Sequence, residues 1–247
     1  MNSLHIHKFD AVIFDLDSTL TDTHRYPFVA CEWLLRKVGV FSEEQMITYI
    51  RILVTRYREA IQSIVEGALY RNPFDIVKTA MENSLRDLDI RVDYDLIEEA
   101  TQRFKSLHIE LSTPYDGVNE VLDSLKTKTK RLGVLSNSFE GHAKIILKKL
   151  ELSHYFSSVI DCGDVQAYKP MSFLFERVVQ NLNVEISKSI YVGDEYYADM
   201  VGAKSADMTT IWINNRERSL SDLIAKHGAH SSPDYVLSSV SEMCELL

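Results

Sequence analysis

Ala11-Val12-Ile13-Phe14-Asp15-Leu16-Asp17-Ser18-Thr19 is the stretch that decides how this chain is read. Its first four residues are continuously apolar, as expected of a strand buried on both faces of a parallel sheet. Asp15 and Asp17 follow at the strand's end. Desolvation and mutual repulsion both oppose placing two carboxylates there. A divalent cation, a phosphate chemistry, or both would resolve the conflict.

Working outward, Leu132–Leu135, Ser189–Val192 and Thr209–Ile213 read as further buried strands, with weaker ones at Ser158–Ile160 and Tyr235–Leu237. Helical patterns at Val118–Leu125, His142–Leu150, Phe173–Leu182 and Ala198–Ser205 alternate with them. Alternation of this kind predicts an α/β fold, a Rossmann-like parallel sheet core with helices on both faces. Ligands of such sheets bind beyond the carboxyl ends of the strands.

The rhythm changes between Asp22 and Leu111, where the pattern is helical almost throughout. Gly39 is a helix stop, Ser42-Glu43-Glu44-Gln45 a capping-box start, and Asn72-Pro73 a cap followed by proline at the first helical position. A further helix is expected over Tyr94–Glu110. The predicted division is an α/β catalytic core of residues 1–21 and 112–247 with an inserted all-helical cap domain over 22–111. Asp22–Thr23 and Leu111–Thr113 are the expected hinges, and Trp33 with the Tyr and Phe residues of the cap its expected small core.

Composition narrows the function. The 247 residues are 45% hydrophobic and 26% charged, ordinary for a globular chain. A net charge of -9 argues against a nucleic-acid partner. The basic run Lys126 to Arg131 reads as the solvated end of a helix. Cys31, Cys162 and Cys244 form no CxxC pair, so neither a disulfide framework nor a zinc site is expected, and a reducing, cytoplasmic setting is. No run of 18 apolar residues suggests a membrane span, and residues 1–10 lack the apolar stretch of a secretory signal. Oligomeric state stays open.

Four polar junctions would meet at one edge of the sheet. They are Asp15 and Asp17; Ser136-Asn137-Ser138; Lys169-Pro170; and Gly193-Asp194-Glu195 with Asp199. Each alone reads as a turn, a cap or a surface residue. Together and in this order they resemble the haloacid dehalogenase-like superfamily of phosphotransferases. The family's Asp-x-Asp-x-Thr motif is matched by Asp15 to Thr19, its strand-end Ser/Thr by Ser136, its Lys by Lys169, and its Gly-Asp-x-x-x-x-Asp by Gly193 to Asp199. The helical insertion is similar to the family's cap, so the resemblance spans the chain.

The resemblance implies a catalytic set of Asp15, Asp17, Ser136 and Lys169. Asp15 is the expected nucleophile, forming an aspartyl-phosphate, and Asp17 the general acid/base. Thr19, Ser136, Asn137 and Lys169 are the expected phosphate-binding residues, Thr19 also fixing the turn that aims Asp17. Mg²⁺ is the expected cofactor, held by the carboxylates of Asp15 and Asp194 and the main-chain carbonyl of Asp17, with Asp199 orienting a bound water or Lys169.

Ser18 stands where many relatives carry Gly or Asn, Asp207 where relatives often have Gly, and Glu195 adds an acid that is expected to face solvent. Asp17 separates phosphate-ester chemistry from carbon–halogen hydrolysis, which needs no acid for an alkoxide. The expected function is therefore a phosphatase acting on a small phosphorylated metabolite. A sugar-phosphate mutase of the same superfamily is the alternative, and a phospho-receiver or non-catalytic binding protein a more distant one. Phosphonate cleavage needs an early cap lysine, whereas His24-Arg25-Tyr26-Pro27 stands there and the first cap lysine is Lys37. The cap is expected to close over the substrate. His24, Arg25 and Tyr26 are its candidate contacts, and Arg51, Thr55, Arg58 and Gln62 read as a solvated stripe.

Overall fold

In the computed structural model, which describes residues 4–128 and 131–247, all four side chains of β1 (Ala11–Phe14) are buried. Residues 1–3 and Thr129-Lys130, the middle of the basic run, lie outside the described residues. Alternation divides β1 between two faces. Ala11 and Ile13 join a cluster with Leu135, Phe175, Val178, Tyr191 and Trp212, while Val12 and Phe14 are buried outside that cluster. Full burial of each large apolar side chain is worth roughly 1.5–3 kcal/mol, so this short strand anchors both layers.

The chain leaves β1 through a turn into β2 (Thr21–Asp22) and comes back through β3 (Thr113–Pro114), its antiparallel partner. Parallel partners then flank β1, β4 (Arg131–Ser136) on one side and β6 (Ser189–Gly193) on the other. β5 (Ser158–Asp161) lies beyond β4, and β7 (Thr209–Ile213) and β8 (Tyr235–Leu237) beyond β6. The order β5-β4-β1-β6-β7-β8 is that of a Rossmann sheet. Successive strands add first to one side of β1 and then to the other, so a crevice opens between the carboxyl ends of β1 and β6.

The chain divides into two compact units, residues 1–22 with 113–247, and residues 23–112, each boundary one residue beyond the position read from sequence. The second unit holds α1 (Arg25–Lys37), α2 (Glu43–Val65), α3 (Pro73–Asp87) and α4 (Tyr94–Leu111). Ser42 caps α2 by accepting from Gln45 N at 3.1 Å, and Asn72 caps α3 by accepting from Asp75 N at 2.9 Å. The core of this unit is mainly aliphatic: Leu34, Leu35, Met81, Leu85 and Ala100 are buried, and Tyr49, Phe104 and His108 are the buried rings beside them. Trp33 is half-buried, with Lys37 and Arg103 each 5.4 Å from its ring, and Tyr94 is exposed. Arg51, Thr55 and Arg58 are exposed, as a solvated stripe should be, and Gln62 is half-buried. Tyr26 stacks on Phe104 and His108 within the unit.

In the sheet unit, α5 (Val118–Lys128), α6 (His142–Lys149), α7 (Cys162–Val165), α8 (Ser172–Leu182), α9 (Gly202–Ser205) and α10 (Leu220–His227) join the strands, and α11 (Met243–Leu246) follows β8. The expected α-helix over Ala198–Ser205 begins instead as a π-helical turn, Tyr196–Val201, before α9. Such widened turns concentrate at functional sites. α7, α10 and α11 are not among the expected helices; the signals for the first two are the capping box at Asp161 and the Ser219 hydroxyl that accepts from Asp222 N. Among the described residues no helix is long and apolar enough to cross a membrane.

Asn72 is the cap most open to test, because its amide also donates to Asp75 Oδ2 at 2.8 Å. Asn72→Ala should cost about 1 kcal/mol, read as a lower urea midpoint of the full chain with unchanged slope.

Candidate active site

The carboxyl end of β1 extends the sheet by one more bond, Asp15 N to Val192 O at 2.8 Å, and this fixes Asp15 in the crevice beside β6. The chain then turns on a single acceptor. Leu16 O receives Leu20 N at 2.9 Å, Thr21 N at 3.0 Å and the Thr21 hydroxyl at 3.1 Å. Thr21, not the predicted Thr19, therefore ties the turn with its side chain. Ser18 occupies the left-handed region at φ 64°, held by its N–H to Thr21 O at 2.7 Å and by Asn215, whose amide donates to Ser18 O at 2.8 Å. That conformation is uncommon for serine, and the surrounding bonds enforce it.

Thr19 is fully buried and its hydroxyl lies 3.4 Å from Asp15 Oδ2 and 3.5 Å from Asp194 Oδ1, long contacts between two acids. Asp17 is half-buried beside Asp15 in sequence. The acidic group whose oxygens lie within 4.8 Å of one another is Asp15, Asp194 and Asp199; the Asp17 carboxylate is outside it, and Asp17 is expected at the metal only through its main-chain carbonyl.

Lys169 is 2% exposed, and its ammonium spends all three protons inside the site. It donates to Asp15 Oδ1 at 2.6 Å, Asp199 Oδ1 at 2.7 Å and Tyr191 Oη at 2.9 Å. Asn137, expected to bind phosphate, bonds to the main chain of Lys169. Its Oδ1 accepts from Lys169 N at 2.9 Å and its Nδ2 donates to Lys169 O at 3.2 Å. Half of its side chain's bonding capacity holds the lysine. Ser136 is buried at the end of β4 and accepts from Ser138 N at 3.2 Å. Ser138 Oγ is buried with no hydrogen-bond partner among the described residues, an orphan facing the same strand end.

β6 brings Gly193, Asp194 and Glu195. A Cβ on Gly193 would lie 2.4 Å from Asp199 Oδ2, so only glycine lets the Asp199 carboxylate fold back. There Oδ2 accepts from Glu195 N at 2.9 Å. With Oδ1 on Lys169 and Tyr191, both Asp199 oxygens are engaged. Trp212 Nε1 donates to Asp194 O at 2.9 Å and pins the strand end.

One loop escaped the sequence reading. Immediately after β7, Arg216 reaches Asp194 Oδ2 at 3.0 Å and Glu195 at 3.1 Å, while Arg218 reaches Glu195 at 3.2 Å. Glu195 is thus half-buried and ion-paired rather than solvent-facing. The available signal was Asn214-Asn215-Arg216, a polar junction at a fifth strand end.

Burial raises the Asp15 pKa to about 7; Lys169 opposes the shift and the charges of Asp199 and Asp17 add to it. Burial likewise pushes Asp194 well above its usual value, with Asp15 adding and Arg216 opposing. Burial alone would lower Lys169, yet Asp15 and Asp199 hold it well above the ordinary lysine value. The site therefore carries more buried negative charge than its own cations neutralise. Among the described residues Asp194 Oδ2 has no hydrogen-bond partner, despite the nearby guanidinium. An all-oxygen set with an unsatisfied carboxylate suits a hard divalent cation, and Asp15 and Asp194 are the side chains with capacity to hold one.

The sign of the pH response follows. A carboxyl whose folded pKa exceeds its unfolded value contributes stability below the unfolded value, and that contribution is lost as pH rises through the folded one. The wild-type stability minus that of Asp15→Asn, measured by urea unfolding with chelator present, should fall between about pH 4, the ordinary carboxyl value, and about pH 7.

Comparison with known proteins places this geometry in a lineage. The chain is 27% identical to a glyceraldehyde 3-phosphate phosphatase of Pyrococcus furiosus over 98% of its length and 94% of that protein's. It is 24% identical to the protein of that name from Methanothermobacter thermautotrophicus, over 96% and 99%. Among solved structures, YfnB of Bacillus subtilis bound to magnesium superposes with a TM-score of 0.76 at 21% identity, covering 97% of this chain and 98% of that one. L-2-haloacid dehalogenase from Xanthobacter autotrophicus shares the fold with a TM-score of 0.72 at 18% identity, over 96% and 98%. The sequence profile of haloacid dehalogenase-like hydrolases matches residues 12–213, from the strand that presents Asp15 to the one that precedes Arg216, and the chain belongs to that family.

Proposed function

We propose that the protein is a Mg²⁺-dependent phosphatase that hydrolyses a small phosphomonoester through an aspartyl-phosphate on Asp15. The observation that carries this reading is the buried Lys169–Asp15 pair at 2.6 Å with a second acid, Asp17, two residues along the same turn. Dehalogenases and phosphatases share the fold and both occur among the relatives. Asp17 separates them, because only an ester's leaving alkoxide needs a proton.

Asp15 attacks phosphorus, and the bond to the leaving alcohol breaks as Asp17 donates its proton to the departing oxygen. Asp17, now a carboxylate, takes a proton from the water that attacks the aspartyl-phosphate, so inorganic phosphate leaves and Asp15 is restored. Lys169 keeps Asp15 oriented and offsets charge as it moves between carboxylate and phosphate. The hydroxyls of Ser136 and Ser138 and nearby main-chain amides supply donors for the phosphoryl oxygens. Asp15 and Asp194 would hold a Mg²⁺ ion, which would supply the charge neutralisation that an anionic nucleophile needs to approach a phosphate dianion. The names of the archaeal relatives make three-carbon sugar phosphates the first substrates to assay.

A screen of phosphorylated metabolites with and without Mg²⁺, blanked by Asp15→Asn, tests the reading. Phosphate release that needs both metal and Asp15 supports it; halide release from a 2-haloacid without phosphate release from any ester overturns it. Asp17→Asn should lower turnover of alkyl phosphates by about 10²–10⁴-fold yet leave a stoichiometric burst with p-nitrophenyl phosphate, whose leaving group needs no acid.

Metal binding has its own reporter in the Trp212 bond to Asp194. In a Trp33→Phe background, Mg²⁺ should change Trp212 emission saturably, and Asp194→Asn should abolish the change.

A further inference from the structure

We infer that Tyr191 is a positioning residue of the reaction, its buried hydroxyl fixing the Lys169 ammonium against Asp15 and tying it to the strand end that carries Ser136. The inference rests on the phosphatase reading for its kinetic consequence and on geometry alone for the positioning. Tyr191 is fully buried in the middle of β6, one residue short of Val192 and three short of Asp194. Its ring packs edge-on against Phe175 at 4.8 Å, within the cluster that holds Ile13 and Leu135.

An ordinary core tyrosine needs one partner for its hydroxyl. This one has three. Oη accepts from Lys169 Nζ at 2.9 Å, donates to Leu135 O at 3.0 Å, and lies 3.2 Å from Asp199 Oδ1. Leu135 belongs to β4, the far neighbour of β1, so the hydroxyl spans from β6 past the strand that presents Asp15. Leu135 directly precedes Ser136. The hydroxyl thus couples Lys169 to the element carrying the phosphate-binding donors.

The proton inventory makes the hydroxyl necessary. An ammonium has three protons in tetrahedral directions, and two point at carboxylates. Without a neutral third acceptor, a buried ammonium can rotate and share its protons unequally between Asp15 and Asp199. The nucleophile would then lose its fixed direction, and small misplacements of reacting groups cost large factors in rate. A hydroxyl supplies that acceptor without adding charge, whereas a fourth carboxylate would aggravate the excess already present. Asn137 complements it, holding the main chain of Lys169 while Tyr191 holds the tip.

Tyr191→Phe removes one oxygen and keeps the ring. With the best phosphomonoester from the screen, it should lower kcat about tenfold or more and leave KM within about twofold. Phe175→Leu touches the same ring without reaching Lys169, and should lower the melting temperature while keeping kcat. The ¹H–¹⁵N signal of the Lys169 ammonium, assigned by its loss in Lys169→Met, gives a readout that needs no turnover. It should be protected from water exchange in the wild type and exchange faster in Tyr191→Phe. If that substitution fails to fold, 3-fluorotyrosine at 191 keeps the shape and weakens the acceptor, and should shift the same signal. Unchanged kcat in Tyr191→Phe, or an ammonium signal indifferent to both changes, overturns the inference. A wild type that releases phosphate from no ester would defeat the phosphatase reading while the ammonium signal still decides the role of Tyr191.

Discussion

An ammonium buried between two carboxylates and a phenol is the constraint from which most of the site follows. Lys169 is stable there only if all three protons find acceptors, since an unsatisfied buried charge costs far more than an unsatisfied neutral donor. Asp15, Asp199 and Tyr191 come from the ends or the body of β1, the π-helical turn and β6, and Asn137 locks the lysine main chain from beyond β4. Each local peculiarity serves that meeting. Gly193 leaves room for Asp199, and the widened turn brings Asp199 back onto Glu195 N.

The sheet order explains why these residues meet where they do. β1 is the switch point, with neighbours added first on one side and then on the other. Its carboxyl end is therefore the place where two crossover connections diverge and leave a crevice. Asp15 and Asp194 terminate the two strands that flank it, and the in-register pairs Phe14 with Val192 and Phe14 with Val134 put Asp15, Leu135 and Gly193 at one level. A shift of one residue in either register would turn the site's side chains to the opposite face.

What could be read from the sequence was what periodicity and strand ends encode. β1, β7 and β8 fall on the predicted residues, and the caps Ser42 and Asn72 fall on theirs, because buried runs and N-cap side chains are local signals. Lys169 and the acids could be located only by their order along the chain and its resemblance to the family, because each alone reads as a turn, a cap or a surface residue. Asn137 and Thr19 could be located but not oriented: whether an amide meets a phosphate or a main chain depends on partners 32 residues away. Tyr191 was invisible as anything but core, since a hydrophobic strand containing one tyrosine looks the same whether its hydroxyl is idle or shared. Trp33 shows the reverse error, an aromatic credited with burial that lies half open between two cations.

The loop after β7 bears on how the acids tolerate each other. Asp194 and Glu195 are adjacent, and Asp15 and Asp199 lie close by, so the strand end concentrates negative charge that burial intensifies. Arg216 and Arg218 answer it from outside, and Asn214, which bonds to both N and O of Arg218, fixes the shape of the loop that carries them. Arg216 contacts Asp194 through Oδ2, whereas Oδ1 lies 3.5 Å from the Thr19 hydroxyl. The two oxygens are thereby assigned different surroundings, one turned toward the arginine and one toward Thr19. Glu195 offers Arg216 a second anchor at a distance similar to the first. The guanidinium is therefore shared between both acids, so the fifth strand end belongs to the electrostatics of the site as much as the other four.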